Sequence, residues 1–158
     1  MTQNRAEGRI ILLFTIVVSM ILMIVPLPDS IRLFRPEWVL MTLLYWAMAL
    51  PERVGIGFAW TVGLLMDVML GGTLGILAFS YALVIYLILN FHLQLRQYPL
   101  WQQALIVMSL VLLVSVIKVI FSPAVASWAI WVPALISTLI WPVIYAVLRK
   151  IRRVFGVK

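Results

Sequence analysis

Residues 100–121 read LWQQALIVMSLVLLVSVIKVIF, an apolar run whose one charge, Lys118, lies three residues from its end. A helix crosses the roughly 30 Å hydrocarbon core of a bilayer with about 20 such residues. This stretch has that length, and it fixes the class of the protein as helices in lipid.

Similar runs recur on both sides of it. Ile10–Val25 ends at Pro26 and Pro28, which cannot continue a helix. Glu37–Leu50 is entered through Arg35-Pro36 and stopped at Pro51. It gives only about 21 Å of helix at 1.5 Å per residue. So short a segment leaves open recruitment of Leu33–Arg35, local thinning of the membrane, or a re-entrant arm. Val54–Leu70 is rich in glycine and carries Asp67; Gly71-Gly72-Thr73 then breaks the chain before Leu74–Phe91. A polar link from His92 to Pro99 leads into Leu100–Phe121, and Ser122-Pro123 separates that run from Trp128–Leu148. Residues 1–158 therefore read as a single polytopic membrane domain of all-α class. It is a compact bundle of about six transmembrane helices, near 10–25, 37–50, 54–70, 74–91, 100–121 and 128–148. The links are short, so sequence neighbours should pack as antiparallel hairpins.

Composition supports the same class: 65% of the residues are apolar and 11% charged, against roughly 45–50% and about 25% in soluble domains. The net charge of +7 would indicate nucleic acid in a soluble protein, but here the cations gather beside hydrophobic segments. Arg149, Lys150, Arg152, Arg153 and Lys158 fall in the last ten residues, the pattern of a cytoplasmic tail (149–158) in contact with anionic phospholipid. Arg149, Lys150, Arg152 and Arg153 are the candidate lipid-binding residues, and no nucleic-acid partner is expected. On alternate sides of six spans, Arg5, Arg9, Arg53, Arg96 and the tail oppose only Arg32 and Arg35. That bias places both termini in the cytoplasm. The first run lacks a small-x-small cleavage pattern and reads as a retained helix. With no cysteine and His92 as the sole histidine, neither a metal site nor a cofactor is expected. Trp38, Trp101 and Trp128 fall near predicted helix ends, where indoles anchor at the headgroups.

The informative residues are those that are costly in lipid. An acid at mid-membrane costs about 2.5–3.5 kcal/mol on translocon scales, and less near the ends. Asp67 shares a helix face with Gly63 and Gly71, each four residues away. Two readings stand: a functional intramembrane acid, or a helix-end acid that reaches headgroup water or caps the Gly71-Gly72 turn. Gly63, Gly71 and Gly75 allow close helix approach, and with Asp67 they are candidates for partner binding or for intramembrane structure. Arg35, Pro36 and Trp38 join them at the entry of the second span. Arg53 should lie on the opposite side from Asp67. Lys118 reads as a snorkelling residue and His92 as an interfacial one. Glu37 and Asp67 should both lie toward the external side, but no nucleophile or metal ligand accompanies them, so the chain is not expected to be an enzyme.

These residues also carry a resemblance. Arg35-Pro36-x-Trp38-Val39-Leu40 is followed by Tyr45-Trp46-x-x-Ala49-Leu50-Pro51-x-Arg53-Val54-Gly55. Further on come Gly63-Leu64-x-x-Asp67-x-x-x-Gly71-x-x-Leu74-Gly75, then Leu100-Trp101-Gln102-Gln103-Ala104, and finally Trp141-Pro142 with Arg149-Lys150. In this order the motifs resemble the bacterial rod shape-determining MreD family, its proteobacterial members above all. The resemblance implies a non-catalytic scaffold in the inner membrane, working with a bitopic MreC-like protein. Its complex would include MreB, the RodA glycosyltransferase and RodA's penicillin-binding partner, and would couple filaments to lateral peptidoglycan synthesis. It also implies a fold like the substrate-binding subunit of energy-coupling-factor transporters. Two other functions compete with it: a small-molecule-binding subunit of a transporter, and a lipid-processing enzyme using Glu37 and Asp67.

Overall fold

The computed structural model describes residues 3–28, 30, 34–121 and 131–156, with side chains from residue 8 onward. Those residues form α1 (Gln3–Ile24), α2 (Trp38–Ala49), α3 (Ile56–Leu70), α4 (Ile76–Leu95), α5 (Leu100–Phe121) and α6 (Trp131–Val154). Among the described residues there is no strand.

The bundle is built around α2. Its sequence, WVLMTLLYWAMA, has no polar face, and a helix that is apolar all round is stable only when covered on every side. Val39, Leu40, Met41, Leu43, Leu44, Trp46 and Ala47 are fully buried, and α1, α4 and α6 pack on α2. Its 12 residues span about 18 Å at 1.5 Å per residue, well short of the roughly 30 Å hydrocarbon core. Protein rather than lipid surrounds it, so its length need not match the bilayer. Glu37 and Leu50, the ends of the expected segment, are its caps.

Sequence neighbours pack together: α3 with α4 most extensively, α5 with α6, and α1 with α2. The helices α2 and α6 run parallel, with Glu37 beside Ser137 and Tyr45 beside Tyr145. Trp46, buried in α2, donates its indole N–H to the Thr15 hydroxyl of α1 at 2.9 Å.

By length and apolarity α4, α5 and α6 can each cross a membrane, whereas α2, α3 and the Gly8–Ile24 part of α1 are shorter apolar helices. Ile10 and Phe14 of α1, Ile120 of α5 and Leu139 of α6 point outward, each more than 60% exposed. So much contiguous apolar surface needs lipid or a partner to cover it, and the chain is a membrane protein.

Besides the start of α1, at Gln3 and not Ile10, two boundaries differ by more than two residues from the sequence reading. The first is at α4, which continues past Phe91 to Leu95. Gln103 closes its end there, donating from Nε2 to the carbonyls of Leu95 and Tyr98 at 3.0 and 3.1 Å. His92 is therefore in the last helical turn, its Nδ1 2.6 Å from the Leu89 carbonyl. The second is at α6, which continues through Arg149 and Arg152 to Val154, because Leu148 is buried and Ile151 packs against the core. The first half of the basic tail is thus helix. Trp128 and the Ser122-Pro123 break lie outside the described residues.

At the crossing of α3 and α4, Gly63 has no room for a side chain. An added Cβ would lie 2.6 Å from both the Ala78 Cα and the Leu77 carbonyl oxygen. Backbone cannot yield as a flexible side chain does, so the two helices would have to part. Gly63→Ala is expected to cost about 2 kcal/mol, the usual range for overpacking. Gly57→Ala, in the same helix with nothing within 4 Å, should be neutral or slightly stabilising. Melting temperatures of the two variants in the same detergent check this contrast.

Candidate functional site

Gly63, Asp67 and Gly71 share a face of α3, and each acts on the same junction. Gly71 ends the helix in the left-handed conformation (φ 64°), with its N–H on the Val68 carbonyl and that of Gly72 on the Asp67 carbonyl. This is a Schellman ending, which a Cβ would strain. The chain then turns through Gly75 (φ 96°), the N-cap of α4. A glycine has no side chain to satisfy the free N–H groups that open a helix. Asp67 supplies the missing acceptor from the preceding helix. Its carboxylate, 3% exposed, accepts N–H bonds from Gly75 at 2.9 Å, from Leu77 at 3.1 and 3.2 Å, and from Ala78 at 3.2 Å. Three donors and the positive end of a helix dipole converge on this one side chain. The carboxylate thus caps the start of α4, and its bonds go to that helix end and not to the Gly71-Gly72 turn.

The second acid, Glu37, is the N-cap of α2. Its backbone N–H donates to the Ser137 hydroxyl of α6 at 3.1 Å, and its Oε1 meets Lys118 Nζ of α5 at 2.5 Å. The carboxyl side chain is only 5% exposed, the lysine 31%. Oε2 is buried without a hydrogen-bond partner, as is the hydroxyl of the fully buried Tyr81 of α4, which lies near the carboxylate. Tyr81 also interacts electrostatically with Asp67. One end of the bundle therefore holds a polar cluster contributed by α2, α3, α4, α5 and α6.

Arg35 completes that end. Its guanidinium donates to the carbonyl of Met23 at 2.5 Å and to that of Val25, at the C-terminal end of α1. Pro36 is buried just before the α2 cap, and Trp38, partly buried, packs against the core. Trp101 lies 63% exposed at the start of α5. Arg149, Lys150 and Arg153 are exposed and Arg152 half-buried at the opposite end of the bundle. Arg53 precedes α3 and is separated from Asp67 by most of that helix, about 20 Å.

This arrangement has little capacity for chemistry. Both oxygens of Asp67 are occupied by backbone N–H groups, and one oxygen of Glu37 by a lysine. No group of metal-ligating side chains occurs among the described residues. What the cluster can do is hold helix ends in fixed relation.

Comparison with known proteins agrees. Residues 4–151 match the family of the rod shape-determining protein MreD. The chain is 35% identical over 141 residues to the rod shape-determining protein MreD of Haemophilus influenzae, covering 87% of each chain. The chain belongs to the MreD family. No solved structure matches it. For this MreD-family chain the sequence singled out Asp67, Gly63, Gly71 and Arg35, and all four sit at the end of the bundle just described. It did not show that Glu37 and Lys118, 81 residues apart, form a pair. Each had an adequate local explanation, and only the unmatched cost of a cation three residues inside a span hinted otherwise.

Two stability predictions follow from the cluster. Asp67→Ala strips three N–H groups of their acceptor and should cost about 2–3 kcal/mol, whereas Asp67→Asn, keeping one acceptor oxygen, should cost about half as much. Lys118→Met leaves Glu37 uncompensated and should cost about 2 kcal/mol, discounted for the exposure of the lysine. Adding Glu37→Gln to it should restore most of that loss, as when both partners of a buried pair are replaced. Denaturation of the single and double variants in detergent provides the check. Additive losses would show that the two side chains do not stabilise one another.

Proposed function

We propose that this chain is a non-catalytic scaffold of the cell-elongation complex, seated in the bacterial inner membrane with both termini in the cytoplasm. Membership in the MreD family assigns it to the determination of rod shape. One observation carries the scaffold reading: Asp67, Glu37, Lys118 and Arg35 are bonded to helix ends and to one another, while the outward faces carry many large apolar side chains. In this reading all six helices lie within the bilayer, and the protein acts by binding partners laterally. A bitopic MreC-like protein is the direct partner. MreB, RodA and RodA's penicillin-binding partner are reached through the same complex, which couples filaments to peptidoglycan synthesis. Arg35, Pro36, Gly63, Asp67, Gly71 and Gly75 act as the frame behind the binding surface.

The surface itself is the apolar recess between α1 and α6, which flank α2 without packing on one another. Phe14, Val18 and Leu22 of α1, Trp38 of α2, and Val143 and Val147 of α6 line its volume of about 320 Å³. A single apolar helix fits such a trough, where close packing rather than water drives association.

A mild-detergent pull-down of the tagged chain from its own bacterium tests both levels. The unmodified chain should recover an MreC-like bitopic protein in stoichiometric amount. Val18→Trp combined with Val143→Trp fills the recess and should reduce recovery about tenfold. Undiminished recovery would reject this surface, and recovery of ATPase subunits by the unmodified chain would reject the scaffold reading.

A further inference from the structure

At the end of the bundle that carries the chain termini, a second recess is polar. Tyr45 of α2, Arg96 after α4, Gln103 of α5, and Tyr145, Arg149 and Arg152 of α6 line about 210 Å³. Three guanidinium groups converge on it from two separate parts of the chain. The half-buried Arg152 lies beside the Tyr45 hydroxyl, and the Tyr145 ring packs edge-on against Tyr45 with centroids 5.5 Å apart. Arg149 and Arg96 are exposed. No carboxylate is among the residues that line the recess.

Gln103 adds a second requirement. It is 4% exposed, and its Nε2 must face the two carbonyls it serves, at Leu95 and Tyr98. This fixes the amide orientation, leaving Oε1 buried with no donor. A buried acceptor left unmade is costly. A ligand that suits the recess is therefore an anion that also offers a hydrogen-bond donor. The volume exceeds that of a few waters at about 30 Å³ each and falls below the 300–1,000 Å³ of drug-sized pockets, which is the scale of a lipid headgroup.

We propose that this recess binds the phosphodiester of an anionic glycerophospholipid, with the arginines on the phosphate and a hydroxyl of a glycerol headgroup on Gln103. The proposal deepens the lipid contact read from the basic tail and is independent of the scaffold reading. It predicts a site, in contrast to a diffuse attraction: Arg96 and Arg149 matter, whereas Lys150 and Arg153, equally basic but outside the recess, do not. Basic pockets between membrane helices are established sites for anionic headgroups.

Native mass spectrometry of the full chain in detergent, titrated with phosphatidylglycerol, phosphatidylcholine or inorganic phosphate, tests this. One phosphatidylglycerol per chain should be retained in preference to phosphatidylcholine. Arg96→Gln with Arg149→Gln should weaken retention about tenfold or more, and Lys150→Gln with Arg153→Gln by no more than about twofold. If the double variant fails to fold, as judged by its melting temperature, Arg149→Gln alone, at an exposed position, should still lower retention severalfold. Equal losses from the two pairs would overturn the site and leave only the tail contact. No preference for phosphatidylglycerol would overturn both. Displacement of the lipid by millimolar phosphate would reassign the recess to an aqueous phosphate.

Discussion

Four charged side chains drawn toward the interior of this bundle each meet a helix end whose backbone charge opposes their own. Asp67 and Glu37 lie at the N-termini of α4 and α2, Arg35 and Lys118 at the C-terminal ends of α1 and α5. The dipole contributes about 0.3–1 kcal/mol at an exposed end and up to about 2 kcal/mol when partly buried. Insertion of a charge near mid-membrane costs about 2.5–3.5 kcal/mol, so the dipole alone does not suffice. Direct bonds make up the difference: three N–H groups for Asp67, two carbonyls for Arg35, and the ion pair for Glu37 and Lys118. Because the helix ends come first and the charges complete them, these residues hold the architecture together.

The shortness of α2 follows from the same constraint. An apolar helix with no polar face gains nothing from choosing one neighbour, so its register needs other determinants. They are directional: the Glu37 N–H on Ser137, the Trp46 indole on Thr15, and the Tyr45 ring against Tyr145. Together they tie α2 to α6 at its start and, in its second half, to α6 and α1 through the adjacent Tyr45 and Trp46. The α3–α4 hairpin is fixed separately, by the close approach at Gly63 and the Asp67 cap. The polar contacts that fix register are thus all internal, and the faces left for partners are apolar. Recognition there depends on shape, which suits association with other helices in the plane of the membrane.

Much of this was legible in the sequence. Periodicity, proline stops and the Gly71–Gly75 break placed the helices, and the cost of an intramembrane acid drew attention to Asp67. What the sequence could not disclose was pairing across long separations. Glu37 read as an acid toward the external side and Lys118 as a snorkelling cation, since each is acceptable alone, and nothing in the sequence singled out Ser137. Arg35 read as a candidate for partner binding or for intramembrane structure, and its acceptors are backbone carbonyls, which leave no mark in side-chain patterns. The continuation of α6 into the tail was hidden by charge: Arg149, Lys150, Arg152 and Arg153 look like the end of a helix, but Leu148 and Ile151 keep one face on the core.

The two ends of the molecule are therefore chemically unlike. At one, Arg35 and Lys118 are neutralised by carbonyls and a carboxylate, and little unbalanced charge remains among the described side chains. At the other, Arg96, Arg149 and Arg152 surround a polar recess with no acid in its lining. Unbalanced cations favour the leaflet face with the more negative surface potential, and each resists transfer across the hydrocarbon core. The proposed orientation rests on that asymmetry. The proposed tasks are separated in the same way, with rigidity built at the neutralised end and electrostatic contact with the membrane surface at the other.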